Sequence, residues 1–184
     1  MKLKTCKVCK AHYTPQKMGQ KVCSPTCAIS LGVSVRGKAV KVAMVKERRE
    51  TRARLETLKS RSQWAREAQT SFNAFIRARD ADQPCISCGR HHQGQYHAGH
   101  YLSVGARPEL RFNEFNVHKQ CAPCNTHLSG NAVLFRRALL AKLGLDLVEW
   151  LEGPHDPRRD TVDHLKALKA TYTAKTKQLK GMSS

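Results

Sequence analysis

Acidic residues are scarce in this chain: 14 Asp and Glu stand against 33 Lys and Arg, a formal charge of +19 over 184 residues. That imbalance exceeds what solubility requires, and it points to a polyanionic partner, nucleic acid first. Long apolar runs are absent, which excludes a membrane-spanning helix. Met1 to Lys10 is basic and cysteine-bearing, unlike a signal peptide, so a soluble cytoplasmic protein is expected and no membrane partner. No helix-turn-helix pattern stands out, which counts against a sequence-specific repressor. No internal repeat or low-complexity tract is present, and no cysteine lacks a near neighbour.

The eight cysteines fall into four short pairs: Cys6/Cys9, Cys23/Cys27, Cys85/Cys88 and Cys121/Cys124. A reducing cytosol disfavours structural disulfides, and a disulfide framework does not need such pairs. Tetrahedral zinc does, because each pair supplies half of a four-sulfur site. Two structural Zn²⁺ ions are therefore expected. With all eight sulfurs as thiolates on two zinc ions the formal charge falls only to about +15, so nucleic acid remains the favoured partner.

The order of segments predicts an α+β protein, mostly helical, in three parts. Residues 1–29 form a small zinc knuckle, too short to bury a core without its metal. Residues 30–61 form a basic arm, helical from about Ala39 to Lys59. Between Arg36 and Arg66 eleven basic residues face three acidic ones, Glu47, Glu50 and Glu56. The arm is either a solvated linker or a phosphate-tracking segment, and its sign favours the latter. Residues 62–184 hold the main domain. A helix is predicted from Ser62 to about Ala81, with Trp64, Ala68, Phe72, Phe75 and Ile76 at helical spacing, a buried stripe rather than a base-stacking one. Pro84 is expected to end it. Further helices are predicted over Val133–Leu143 and Asp146–Leu151, separated by Gly144, and from about Asp160 to Lys180 with Val162, Leu165, Leu168 and Tyr172 near one face.

Between Cys88 and Cys121 lies an insert, Gly89 to Gln120, dense in His and Asn: His97, His100, Asn113, Asn116 and His118. The order reads Cys-x2-Cys, a His ending a short strand (Tyr96 to Tyr101), Asn116, then Cys-x2-Cys followed at once by Asn125. This order resembles the zinc-containing HNH, or ββα-metal, nucleases, with the module over about 84–131. The resemblance implies a Cys₄ zinc clamp around a β-hairpin, with His100 as general base and Asn116 holding the second strand and that His in place. It implies a helix from near Asn125 and Asn125 as ligand of a catalytic divalent ion, Mg²⁺ or Mn²⁺. Many such sites carry an acidic ligand close before the base; here Gly99 precedes His100 and His97 is the nearest candidate ligand. The second helical His of such sites falls at Ser129, so His127 is either its substitute or an exposed, phosphate-contacting residue. His118 either contacts DNA or sits beside the knuckle, while His91 and His92 read as ordinary loop residues.

A longer resemblance covers Ser62 to about Leu179. Its carriers are Phe72-Asn73-Ala74-Phe75-Ile76-Arg77, Pro84-Cys85-Ile86-Ser87-Cys88-Gly89, Ala98-Gly99-His100-Tyr101, Leu110-Arg111-Phe112-Asn113-Glu114 and His118-Lys119-Gln120-Cys121. The chain resembles the NinG (Rap) recombination endonucleases of lambdoid phages, whose pattern has an acidic residue where His97 stands. The resemblance implies an endonuclease in the host bacterial cytoplasm that nicks branched DNA such as D-loops and Holliday junctions, and it accommodates a homodimer on a junction. A phosphodiester repels nucleophiles, so such an enzyme needs a base to deprotonate water and a cation to take up developing charge. The alternative reading, a non-catalytic zinc protein that binds DNA as a recombination accessory, needs only the cysteines and the charge.

Overall fold

A computed structural model describes residues 2–182 of the chain. It is mostly helical and divides into two compact units, one ending at Lys59 and the other beginning at Ser60. In the first unit, strands β1 (Lys4–Thr5) and β2 (His12–Tyr13) pair antiparallel, with Lys4 opposite Tyr13. Helix α1 follows over Pro25–Thr57, 33 residues long. The helix start expected near Ala39 is corrected here: the helix begins inside the knuckle. The local cause was present in the sequence. Ser24 is the N-cap, its side chain accepting from the Cys27 N–H at 3.2 Å, and Pro25 occupies the first turn, where its missing N–H costs nothing. Cys27 thus rides on the first turn of α1. No described residue of α1 is buried; Ile29, Val33, Val42 and Val45 are exposed along with the basic side chains.

The second unit opens with α2 (Arg61–Arg79), started by a capping box in which Ser60 Oγ accepts from the Gln63 N–H and Gln63 Oε1 accepts from the Ser60 N–H. The helix ends at Arg79, four residues before the sequence reaches Gln83, so Pro84 is not what stops it. Asp80 is the C-cap, and its side chain is committed elsewhere. Trp64, Ala68, Phe72, Phe75 and Ile76 are all buried, as their spacing predicts. They meet α5 (Val162–Met182), which runs parallel to α2: Lys169 pairs with Glu67 at 2.7 Å, Thr173 meets Ser71, and Leu165 packs among Trp64, Ala65 and Ala68. Phe72 and Tyr172 pack edge to face at 4.8 Å, an arrangement that adds to simple area burial.

On this helical pair lies a hairpin of β3 (Tyr96–His100) and β4 (Val117–Cys121), antiparallel, with His97 opposite Gln120 and His100 opposite Val117. Ala98 and Val117 join the Phe72–Ile76 cluster. On the other face His118 of β4 meets Phe135 of α3 (Ala132–Leu143), and Phe135 and Leu139 join Val148 and Leu151 of α4 (Leu145–Glu152) in a second core with Leu110. Gly144, at φ +84, separates these two helices as expected.

A helix beginning near Asn125 does not continue into α3. Pro123–His127 makes a single π-type turn, after which Ser129, Gly130 and Asn131 all take left-handed backbone conformations. The sulfur and amide partners explain the break. The Gly130 N–H donates to Cys124 O at 3.0 Å, and its carbonyl accepts from Gln120 Nε2.

Gln120 is wholly buried, and its side chain passes directly beneath Gly99. A Cβ on Gly99 would lie 2.1 Å from Gln120 Oε1 and 3.0 Å from its Cβ and Cδ. Gln120 cannot swing away freely, because Nε2 is pinned to Ser87 Oγ at 2.7 Å and to Gly130 O at 2.6 Å. Among the described residues Oε1 has no hydrogen-bond partner, so the oxygen packs on the Gly99 backbone in place of one. Gly99→Ala should therefore destabilise the second unit by about 1–3 kcal/mol, the scale of overpacking a closed site. Urea unfolding would measure it, and a wild-type midpoint would show that Gln120 relocates without cost.

Candidate metal centres and an adjoining cleft

The eight cysteines are free thiols gathered in two clusters, Cys6/Cys9/Cys23/Cys27 and Cys85/Cys88/Cys121/Cys124, with the four sulfurs of each within 4.8 Å of one another. The individual separations decide what they can do. Cys9 and Cys23 are 3.4 Å apart, Cys23 and Cys27 3.8 Å, and Cys88 and Cys121 4.0 Å. A disulfide needs about 2.05 Å. Four sulfurs at about 2.3 Å from a zinc ion stand about 3.8 Å apart, so both clusters fit zinc and neither fits a disulfide. Burial alone would raise the Cys6 thiol, but backbone N–H groups of Cys9, Val8 and Cys23 draw it down to about 6. In the second cluster those of Cys88, Cys121 and Ser87, with the Cys121 side chain, overcome the same burial and draw Cys85 down to about 7. Their neighbours go the other way: contacts with Cys9 and Cys6 push Cys23 up to about 12, and burial with the Cys85 contact pushes Cys121 up to about 12, so each cluster crowds sulfurs that a cation at its centre would let ionise together.

The second cluster clamps the ends of the hairpin. Cys121 closes β4, and its N–H donates to Cys85 Sγ at 3.3 Å. Beside it, His92 Nε2 lies 3.2 Å from Cys88 Sγ, and the His92 N–H donates to Tyr96 Oη. His92 is thus a neighbour of the metal cluster rather than an ordinary loop residue. Its position four residues after Cys88 was the only available signal.

Asn125, immediately after the last cysteine, meets His97 of β3: Asn125 Nδ2 and His97 Nδ1 are 2.9 Å apart. The two line a cleft of about 420 Å³ with Asn73, Arg77, Gln95, Tyr96 and Ala98. Tyr96 to Ala98 of this lining belong to β3, one edge of which pairs with no strand among the described residues, since β3 and β4 make a two-stranded sheet. His127 is exposed, and none of its hydrogen bonds among the described residues ties it to the pair.

His100 stands three residues beyond His97, an odd spacing on a pleated strand, so the two rings leave from opposite faces. His100 Nε2 faces the Arg111 carbonyl at 3.1 Å. A ring nitrogen that donates to a carbonyl leaves the other as a free acceptor. Burial lowers its pKa below the ordinary imidazole value, only partly offset by that carbonyl, so the ring is neutral near pH 7. The Arg111 side chain continues the chain of contacts: Nε donates to Gln69 Oε1 at 2.8 Å, and Gln69 Nε2 to Asn73 Oδ1 at 2.8 Å, which returns to the cleft.

Asn116 is fully buried. Its Oδ1 accepts from the Leu102 N–H at 2.9 Å, and Nδ2 donates to Leu102 O at 3.0 Å and to Leu110 O at 3.3 Å. It latches the chain two residues past His100 to the approach of β4, and touches neither His100 nor the cleft through these bonds.

His118 is buried beside Phe135. Its Nε2 meets Phe115 O and its Nδ1 meets Arg79 Nη2 at 3.1 Å. Arg79 also grips both oxygens of Asp80 and the carbonyls of Glu114 and Val117. Burial would raise the Asp80 carboxyl, but Arg79, His118 and the Lys119 N–H hold it well below the usual carboxylate range. Periodicity could not have revealed this network, because adjacent Arg79 and Asp80 read as an ordinary helix end.

Fold and site together define a class: a strongly basic, mostly helical protein whose two units each close around a four-cysteine cluster able to hold a metal ion. Within that class the chain belongs to the NinG family, whose model, described as Bacteriophage Lambda NinG protein, matches residues 1–181. Protein ninG of Escherichia phage lambda is 42% identical over 187 residues, covering 96% of this chain and 92% of the relative. Protein ninG of Escherichia phage 933W is 41% identical over 190 residues, covering 97% and 94%. That of Salmonella phage P22 is 41% identical over 187 residues, covering 96% and 92%. No solved structure matches the chain. Among the described residues no helix is long and apolar enough to cross a membrane.

Proposed function

We propose that this chain is a metal-dependent endonuclease of the HNH type, acting on branched DNA intermediates of phage recombination. The observation that carries the reading is the meeting of His97 and Asn125 at 2.9 Å on a hairpin clamped by a four-cysteine cluster. An imidazole nitrogen and an amide oxygen fit a divalent ion in chemistry, Mg²⁺ or Mn²⁺, with phosphate and water oxygens to complete its sphere; amide nitrogen and oxygen interchange by a simple flip. Such an ion, when bound, supplies Lewis-acid stabilisation of charge on the phosphate. The remaining work falls to the chain's own residues. His100, neutral and held through Nε2 by the Arg111 carbonyl, accepts a proton from water at Nδ1. Asn116 fixes the backbone that follows His100. His97 and His100 leave β3 from opposite faces, so a phosphate engaged by both would lie across an edge of that strand. His127 is left outside this arrangement.

The second reading, a non-catalytic DNA-binding accessory, is favoured by one feature, the exposed basic α1, which would hold phosphates without any chemistry. Labelled linear, forked and four-way DNA incubated with Mg²⁺, with Mn²⁺ or without added divalent ion separates the two. Metal-dependent nicking confined to branched substrates is expected; binding without nicking under every condition would leave the accessory. The pH profile adds a sign. The base works only when neutral, and burial lowers the His100 pKa, so the acid limb of the rate should lie below the ordinary imidazole value of 6.5. An acid limb above that value would exclude His100 as the base.

A further inference from the structure

The cleft has two walls, and the metal-cluster module supplies only one. Asn125 and His97 come from the clamped hairpin and the turn after it, while Asn73 and Arg77 come from α2, outside that module. Residues four apart lie on one face of a helix, so Asn73 and Arg77 present their heads side by side. Asn73 is oriented by Gln69, which uses its Oδ1 and leaves Nδ2 for the cleft. Arg77 differs from its neighbour two residues on. Arg79 spends its donors on Asp80 and on the carbonyls of Glu114 and Val117, whereas no hydrogen bond or ion pair engages Arg77 among the described residues, and it is exposed. An uncommitted guanidinium lining a polar cleft beside a His–Asn pair is built to grip a phosphate with two parallel N–H donors.

We propose that Arg77 is a catalytic residue that clamps the phosphate of the DNA strand laid along the open edge of β3, with Asn73 Nδ2 as a second donor. The assignment rests on the nuclease reading of the cleft for its effect on rate, but its effect on binding does not. In this arrangement α2 holds the phosphate from the side opposite Asn125, so the negative charge gained on attack meets a fixed cation.

The test uses full-length Arg77→Ala and Arg77→Lys with a fluorescein-labelled four-way DNA. Anisotropy across a salt series, without added divalent ion, reads binding; single-turnover cleavage with Mg²⁺ or Mn²⁺ reads rate. Arg77→Ala should flatten the salt dependence by about 0.9 log units per log salt, one phosphate contact. Its cleavage rate should fall roughly 10²- to 10³-fold, the scale of one lost transition-state donor. Arg77→Lys should restore the slope but not the rate, because an ammonium keeps the charge and loses the two-pronged geometry. An unchanged slope overturns the proposal whatever the wild-type activity. So does loss of zinc or of thermal stability in Arg77→Ala, which would make the side chain structural. If the wild-type protein cuts no branched DNA, the nuclease reading and the catalytic role fall together, and a flattened slope would still assign Arg77 as a phosphate contact.

Discussion

Replacing His100 with alanine is expected to lower the rate of branched-DNA cleavage by roughly 10²- to 10⁴-fold, the range for loss of a general base. Zinc content, folding and junction affinity should stay near wild type. His100 lies outside both cysteine clusters, and among the described residues the hydrogen bond of its ring joins Nε2 to the Arg111 carbonyl, so its loss removes one such bond and no cysteine contact. Asn125→Ala should behave differently. It removes a candidate metal ligand and leaves the base, so the loss should shrink as Mn²⁺ is raised. Wild-type cutting by both variants would remove this cleft from the chemistry and leave the DNA-binding accessory as the better account. Aggregation or zinc loss in His100→Ala would make the ring structural while leaving the hairpin fold untouched.

How far these side chains could be placed from the sequence depended on which physical signal each one carries. The aromatic stripe of α2 was legible because burial recurs every three or four residues, and Trp64 to Ile76 obey that spacing. The two metal clusters were legible because paired cysteines have few other uses. The start of α1 is signalled by Ser24-Pro25 but masked by Cys27, a metal-pair cysteine that sits inside the helix and not before it. The break after His127 depends on Gln120 reaching Gly130 across ten residues, which no local pattern encodes. His97 and Asn125 were singled out one by one, but their contact spans 28 positions and exists only once the hairpin and the clamp have formed. Arg77 was invisible as a site residue for the opposite reason: a basic residue in the last turn of a helix already has an adequate explanation in the helix dipole.

Two zinc ions per chain is the second large expectation, and the two units should depend on them differently. In the first unit Cys6 is the one apolar side chain buried among the described residues, so no hydrophobic core stands in when the metal leaves. Cys9→Ser should reduce the zinc count to one and unfold the segment ahead of α1. It should leave the thermal transition of the second unit in place, since that unit has its own cluster and its own cores around Phe72 and Phe135. Cys124→Ser should also remove one zinc, with a heavier consequence. Cys85, Cys121 and Cys124 are buried together under Tyr96, the Cys124 carbonyl anchors the Gly130 turn, and Asn125 follows directly. Losing that ion therefore loosens the hairpin, the turn and the cleft at once. Structural zinc contributes on the order of 10–16 kcal/mol in small zinc-held peptides, as large as the typical 5–15 kcal/mol net stability of a domain, so any structure retained without it would have to come from the helical cores. Elemental analysis of protein purified without added metal, followed by circular dichroism of each variant, gives the answer. A stoichiometry near zero, or thiols that react only after a disulfide reductant, would mean that the clusters do not hold zinc. An equally lowered melting point of the second unit in both variants would mean that the units do not fold independently, and a wild-type one in both would mean that the second zinc does not hold the hairpin.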